Sequence, residues 1–211
     1  YYFVGRFDGE KFIPETERLC AYEDGLPYAA QTFWGIPGRV VSVSWLRIPN
    51  YGKNYTGAMA IPAEVSLVST KEGPRISLAP VRELEQCRKE ESVFLQTGRE
   101  LTVAEVEENA FELRLRLDDK VRGSLVCRLP EGELFLDFEK GRGKFREKEF
   151  PVDVEKDAMA RLIYDYDAAE LFIIRKEGPA LYLPCENPVK KLAGSVSVSP
   201  QNGCVIPEII Y

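Results

Sequence analysis

Residues 39–67 read RVVSVSWLRIPNYGKNYTGAMAIPAEVSL. The first part alternates: Val41, Val43 and Trp45 fall on one face, Ser42 and Ser44 on the other. A period of two marks a half-buried strand. Residues 49–57 then carry two Gly, one Pro and two Asn, the chemistry of a turn. A second strand is expected over 58–67, interrupted by Pro62. Proline lacks the donor a ladder needs, so a bulge or a sheet edge is expected there.

Towards the N-terminus the strand grain continues. YYFVGRF (1–7) reads as a strand, Asp8-Gly9 as a hairpin turn, and 11–13 as the return. Residues 14–18 are polar, 19–22 short and extended, and 23–25 turn the chain again. YAAQTFW (28–34) is the next strand, joined to the hairpin by the loop 35–38. Roughly four short strands without a helical pattern have the grain of a β-propeller blade or a piece of barrel.

Towards the C-terminus, 69–91 reads as a polar connector with one further strand at 75–78. VRELEQCRKEE, with Val81 and Leu84 three apart, suggests a short helix in it. From Ser92 the strands return. Phe111, Leu113, Leu115 and Leu117 alternate with Glu112, Arg114, Arg116 and Asp118, a strand with one wet face. Further strands follow at 121–129, 134–138, 145–152, 160–165, 170–175, 180–184, 193–199 and 205–210. About nine strands without a helix of useful length predict a β-sandwich of two antiparallel sheets. The chain is therefore expected to be all-β. Its parts are the end of a propeller-like domain (1–68), a connector (69–91) and a C-terminal sandwich (92–211). Phe111, Leu113, Leu115, Leu134, Leu136, Leu162, Phe172 and Val196 are expected in the sandwich core.

The totals exclude several function classes. A hydrophobic fraction of 45% with 29% charge is that of a folded globular chain, not a disordered one. No apolar run approaches the roughly 18 residues of a membrane span. A net charge of −6 opposes non-specific nucleic-acid binding. There is no histidine, which removes His-based triads, His metal ligands and a His general base together. Neither a metal nor an organic cofactor is expected. The five cysteines (20, 87, 127, 185, 204) are scattered with no C-x-x-C, and read as reduced core thiols. The sequon at Asn54 has meaning only in a secreted chain. The odd cysteine count and the lack of a visible signal segment favour a cytoplasmic setting. The sequence opens at Tyr1 inside a strand pattern, so it is expected to be a fragment, a domain expressed on its own, or a processed product.

Three stretches, in order, resemble glycoside hydrolase family 32, the invertases, levanases and inulinases. YFVGRFDG with YAAQTF is similar to the family's F-x-G-x-F-D-G and F-Y-A-P-Q-T-F. SWLRIPN…GAMAIPAEVSL with APVRELEQCR resembles G-W-M…G-x-M-x-x-P-R-E-L-x-L and P-V-x-E-L-x-x-L-R. LIYDYDAAELFI resembles L-x-I-x-x-D-x-S-S-x-E-x-F-x, with Asp165, Glu170 and Phe172 on matching positions. Leu26 and Pro27 depart from the family's Asp-Phe, Ala30 from Pro, and Ala63 from Arg. The resemblance implies the end of a five-bladed propeller plus the C-terminal sandwich of a retaining β-fructofuranosidase. Such enzymes use a nucleophilic Asp, an acid/base Glu and a second Asp that steadies the transition state. Retention requires two carboxylates about 5 Å apart across the scissile bond. The family's W-M-N-D-P-N-G, R-D-P and E-C motifs do not occur here. In the family's order all three precede the position of Tyr1, so no catalytic residue is expected in this chain.

The resemblance also implies that Trp45 lies in the substrate pocket and that Tyr28 and Gln31 border it. An aromatic face stacks well on a sugar's C–H edges. The alternative for Trp45 is propeller core, continuing Val41 and Val43. Glu23-Asp24 and Asp165/Asp167 are the closest carboxylate pairs and read as solvated turn residues. KGRGKFREK (140–148) reads as a solvated hairpin tip rather than a nucleic-acid arm. Fructose-containing saccharides, met through the full-length protein, are the expected partners. The N-terminal propeller portion is expected as a covalent partner, nucleic acid and membrane are not, and a homo-oligomer stays open. The competing functions are a stand-alone carbohydrate-binding sandwich and a purely structural domain.

Overall fold

The computed structural model describes residues 1–22, 25–107, 110–153, 157–188 and 193–211. The expected turn at Glu23-Asp24 lies outside the described residues. Among those residues the chain is all-β apart from one short 3-10 turn.

β1 (Gly5–Phe7) and β2 (Phe12–Pro14) form a hairpin. Its turn is held by the Asp8 carboxylate, which accepts from the amides of Glu10 (2.8 Å) and Lys11 (2.7 Å). A second sheet contains β3 (Pro27–Thr32), β4 (Val40–Leu46), β5 (Ala58–Met59), β6 (Ala63–Thr70) and β7 (Gly73–Pro80). Its order is β3-β4-β6-β7, with β5 on β4 and all pairs antiparallel. A four-strand antiparallel meander of this kind is the form of one propeller blade. The strand expected over 58–67 is two strands, because Pro62 sits in the break between β5 and β6. There its missing N–H costs no ladder bond, and its carbonyl accepts the Val81 amide at 3.0 Å. The strand expected at 75–78 runs the full length of β7.

Burial along β4 departs from the simple alternation. Val41 is buried, but further along Ser44 and Leu46 are buried while Trp45 is 38% exposed. The buried side changes because the far end of β4 is covered from the opposite direction. Leu46 packs with Ile48, Ala60 and Ala168, the last from the C-terminal body, and Ser44 hydrogen-bonds the Tyr22 hydroxyl.

The C-terminal body contains β8 (Val93–Thr97), β9 (Leu101–Val106), β10 (Ala110–Leu117), β11 (Ser124–Leu129), β12 (Gly132–Asp137) and β13 (Arg142–Phe145). It continues through β14 (Lys148–Pro151), β15 (Ala158–Asp165), β16 (Ala168–Arg175), β17 (Leu181–Glu186), β18 (Gly194–Gln201) and β19 (Ile206–Ile210). One sheet has the order β17-β16-β15-β10-β19-β8, the other β14-β13-β12-β11-β18-β9. Neither closes into a barrel. The register puts Leu113 opposite Leu162, Leu162 opposite Leu171 and Leu171 opposite Leu183, so one apolar row crosses four strands. Leu134, Leu136, Phe145, Val196 and Val198 meet this row from the other sheet. β8 and β9 had no separate signal, because VFLQT in β8 does not alternate. Residues 145–152 are not one strand but the end of β13 and all of β14, turned at Arg146-Glu147.

Phe172 is fully buried, but not in the sandwich core. It pairs with Arg161 and Tyr182, whereas its neighbours Leu171 and Ile173 point into the core. It packs with Ile163 and with Ile61 of the N-terminal body, and Leu84 and Tyr182 border this cluster. The outer face of β15–β17 is thus covered by the first body, which explains why β16 reads as a continuous apolar run. Leu84 reaches it from the 3-10 turn Arg82–Cys87, the short helix expected there. Glu85 of that turn and Arg88 just after it join Glu112 and Arg161 on the same sheet in one ion network. Cys127, Cys185 and Cys204 are buried, whereas Cys20 and Cys87 are exposed and so are not core thiols; none of the five is in a disulfide.

Among the described residues the sandwich owns the one large apolar core, while the N-terminal sheet has only the small clusters around Leu46 and Ile61. Amide exchange is therefore expected to be slower over β10–β19 than over residues 1–67. Hydrogen-exchange mass spectrometry checks this, and the reverse order would contradict it.

Candidate functional site: an exposed aromatic platform

Tyr28 on β3 stands directly opposite Trp45 on β4, and Trp45 opposite Met59 on β5. The two rings meet edge to face, with centroids 6.3 Å apart. Gln31 is paired with Val43. Tyr28 and Gln31 are three apart, so a regular strand would send them to opposite faces. A bulge between them sets two residues, Ala29 and Ala30, against one on β4, with Ala29 in the left-handed region at φ 47°. The extra residue returns Gln31 to the face of Tyr28, Val43 and Trp45. Tyr28, Gln31, Trp45 and Met59 are all exposed. The three residues picked from the sequence are therefore together on one open face, and Trp45 is not core.

Three features escaped the sequence reading. Met59 extends the aromatic row. The Arg47 guanidinium lies over the Tyr28 ring at 5.1 Å, a cation–π contact. Gly57 lies against the indole: with φ +78°, a Cβ there would stand 2.0 Å from Trp45 Nε1. Two cues were available, since Arg47 follows Trp45 by two, just past the end of β4, and Gly57 closes the turn. The row of Tyr28, Gln31, Trp45, Met59 and Arg47 offers π faces, one amide and one guanidinium, but no carboxylate. Such a set can bind and orient a polyhydroxylated ring without transferring protons on its own.

Residues 49–57 connect this platform to the sandwich. The Tyr51 hydroxyl donates to Glu186 Oε2 at 2.5 Å, and this shared proton pushes the phenol up to about 12. Lys53 forms an ion pair with Asp167, whose side chain is almost entirely buried. Asp165 and Asp167 are thus not a matched pair of solvated turn carboxylates, because Asp167 is held under the N-terminal body. A cleft of about 790 Å³ opens beside Arg47, between Leu26 and Pro49 on one side and Arg146, Lys148 and Glu186 on the other. Arg146 donates to the Glu186 carbonyl and to Asn187 Oδ1, and Lys148 Nζ to the Pro184 carbonyl at 2.6 Å. The basic stretch 140–148 is accordingly not a free tip: two of its cations tie β13 and β14 to β17.

Glu170 is the other buried carboxylate at this junction. Its Oε1 accepts the Ile61 amide at 2.8 Å and its Oε2 the Tyr182 hydroxyl at 2.6 Å. Burial pushes the Glu170 carboxyl up to about 7, against the pull of those two bonds, and the nearby charge of Asp165 adds to the rise. Among the described residues no cluster of His, Cys, Asp and Glu could hold a metal ion, and no helix is long and apolar enough to cross a membrane.

Residues 1–80 match the family model described as the glycosyl hydrolases family 32 N-terminal domain. The chain is 30% identical over 99 residues to a sucrose-6-phosphate hydrolase of Zymomonas mobilis, covering 44% of this chain and 18% of that protein. It is 27% identical to a levanase of Bacillus subtilis over 97% of this chain and 29% of the levanase. The fold is similar to that of an exo-inulinase from Aspergillus awamori, with a TM-score of 0.70 at 17% identity over 99% of this chain and 48% of that one. The chain thus spans less than a third of the two sequence relatives and about half of the structural one. Tyr28, Gln31 and Trp45 all lie in the residues 1–80 that match the family 32 N-terminal domain model, and the likeness to the exo-inulinase is one of fold.

Proposed function

We propose that these 211 residues are the C-terminal portion of a fructose-releasing hydrolase of the retaining β-fructofuranosidase type. In this reading residues 1–68 are the end of its propeller, 69–91 a connector, and 92–211 a sandwich that buttresses the propeller. Tyr28, Gln31 and Trp45 border the substrate pocket, with Trp45 stacking on the sugar. The nucleophile, the acid/base and the transition-state-steadying carboxylate belong to sequence outside these residues. The observation that carries the reading is the bulge at Ala29-Ala30, which gathers the three residues on one open face.

The test compares the purified chain with a longer gene product that includes the family's acidic motifs. The longer protein is expected to release fructose from sucrose, inulin or levan, and the chain alone to release none. Without a proton donor and an opposed nucleophile in fixed geometry, the bond cannot be split. Hydrolysis by the chain alone, lost on Asp165→Asn, would overturn the reading. Saturable fructan binding by the chain, with a longer gene product that hydrolyses nothing, would favour a stand-alone carbohydrate-binding module.

A further inference from the structure

We infer that Asp167 and Glu186 of the sandwich are positioning residues for the Trp45 platform, acting through the loop of residues 49–57. The inference deepens the proposed function, since it rests on Trp45 being the residue that meets the sugar. The path is continuous in atoms. β15 and β16 are joined by the two-residue turn Tyr166-Asp167, with Tyr166 at φ 51°. That turn is rigidly held: the Asn187 amide donates to the Asp167 carbonyl at 2.6 Å, and Asn187 Nδ2 to the Tyr166 carbonyl at 2.9 Å. From it the Asp167 carboxylate grips Lys53, with the two side chains only 7% and 19% exposed. Glu186, next to Asn187, grips Tyr51.

The loop passes this constraint on because it is internally tied. Asn50 Nδ2 donates to the Tyr55 carbonyl at 2.8 Å, and the Lys53 amide to the Asn50 carbonyl at 3.0 Å. At its exit, Thr56 Oγ1 and the Gly57 amide both donate to the Ile48 carbonyl, at 3.0 and 2.8 Å. The loop ends at Gly57, whose α-carbon lies against the indole with no room for even a methyl group. Two anchors on the sandwich therefore fix where Gly57 stands, and Gly57 limits where the Trp45 ring can go. A buried ion pair loses its function when one member is neutralised, because the partner charge then seeks water. Lys53 would leave, and the loop would lift from the indole.

The chain provides its own reporter. It has two tryptophans, and Trp34 is 98% exposed in the loop that follows β3. In a Trp34→Phe background, Trp45 alone emits. Asp167→Asn and Tyr51→Phe are then compared by acrylamide quenching and emission maximum, with urea unfolding run in parallel. Each is expected to shift the emission to the red and to raise quenching. With Trp45 already 38% exposed, the rise cannot exceed roughly two- to threefold. Exchanging the charges (Lys53→Asp with Asp167→Lys) should return quenching towards the starting value, which loss of packing alone would not do. Tyr51→Phe removes one exposed hydroxyl and keeps the chain folded if Asp167→Asn does not. Unchanged quenching in folded Asp167→Asn or Tyr51→Phe would overturn the coupling. The readout needs no saccharide, so the two ideas fail separately. If quenching moves but fructans never perturb Trp45 in the longer protein, the coupling stands and the pocket role falls. If fructans perturb Trp45 while the variants do nothing, the pocket role stands and the coupling falls.

Discussion

Replacing Glu170 with alanine is expected to destabilise the chain by about 2–5 kcal/mol, and replacing it with glutamine to cost little at pH 8. Alanine strands the buried Ile61 amide, at about 1–3 kcal/mol, and removes the bond from the half-buried Tyr182 hydroxyl to the carboxylate, at about 1.5–3 kcal/mol. Glutamine keeps an oxygen for Ile61 and offers an N–H to the Tyr182 oxygen. It copies the protonated carboxyl, in which Oε1 accepts from Ile61 and the Oε2 proton turns to Tyr182. The same reasoning fixes the pH dependence. The Glu170 carboxyl is raised to about 7 in the folded chain, from an ordinary value of 4.5. Between these values the folded state holds more protons than the unfolded state. The contribution is therefore fully present below about pH 4.5 and is lost as pH rises through 7, by up to about 3 kcal/mol. Urea unfolding of the parent chain and of Glu170→Gln at pH 5 and pH 8 isolates the effect, because other carboxylates cancel in the difference. Parallel pH dependences in the two proteins would show that Glu170 does not carry it.

The largest effect on activity is expected from Trp45→Ala in a longer gene product that includes the catalytic acids. A stacking aromatic that leaves water for a sugar face is worth about 1.5–3 kcal/mol. Its loss lowers kcat/KM by roughly ten- to a hundredfold. If the ring contributes uniform binding, KM alone rises; if it contributes only in the transition state, kcat falls in step with kcat/KM. Trp45→Phe should retain much of the lost efficiency, since a smaller π face remains. Kinetics on sucrose and on a fructan decide the matter, and wild-type efficiency in Trp45→Ala would return the residue to a packing role.

The fold was largely written in alternation. Leu113, Leu115 and Leu117 announced β10 and the inward face of its sheet without help from any other part of the chain. What could not be read was which strands are buried on both sides. Phe172 looks like its neighbours Leu171 and Ile173, and only its parity with Arg161 and Tyr182 shows that it faces the other body. Likewise, Ser44 is buried and Trp45 exposed because a second body closes on β4 from the serine side, a non-local fact. The platform was half legible. Tyr28, Gln31 and Trp45 came from motif likeness, but their meeting depends on the bulge at Ala29-Ala30, and two consecutive alanines carry no bulge signal. Arg146 and Lys148 were misread for a similar reason: a run of charges shows no partners until β17 lies beside it.

The wall formed by β15–β17 has a consequence for how such a chain can change over time. Most soluble sheets keep one face where residues can drift freely. β16 has almost none from Ala168 to Ile173, because one face is pledged to the sandwich and the other to the N-terminal body. A new side chain at Glu170 or Phe172 can be accommodated only if Ile61, Leu84 or their neighbours change as well. The two bodies are thus bound to a shared mutational history, and a sandwich transplanted from a distant relative would arrive with a wall cut to fit a different house.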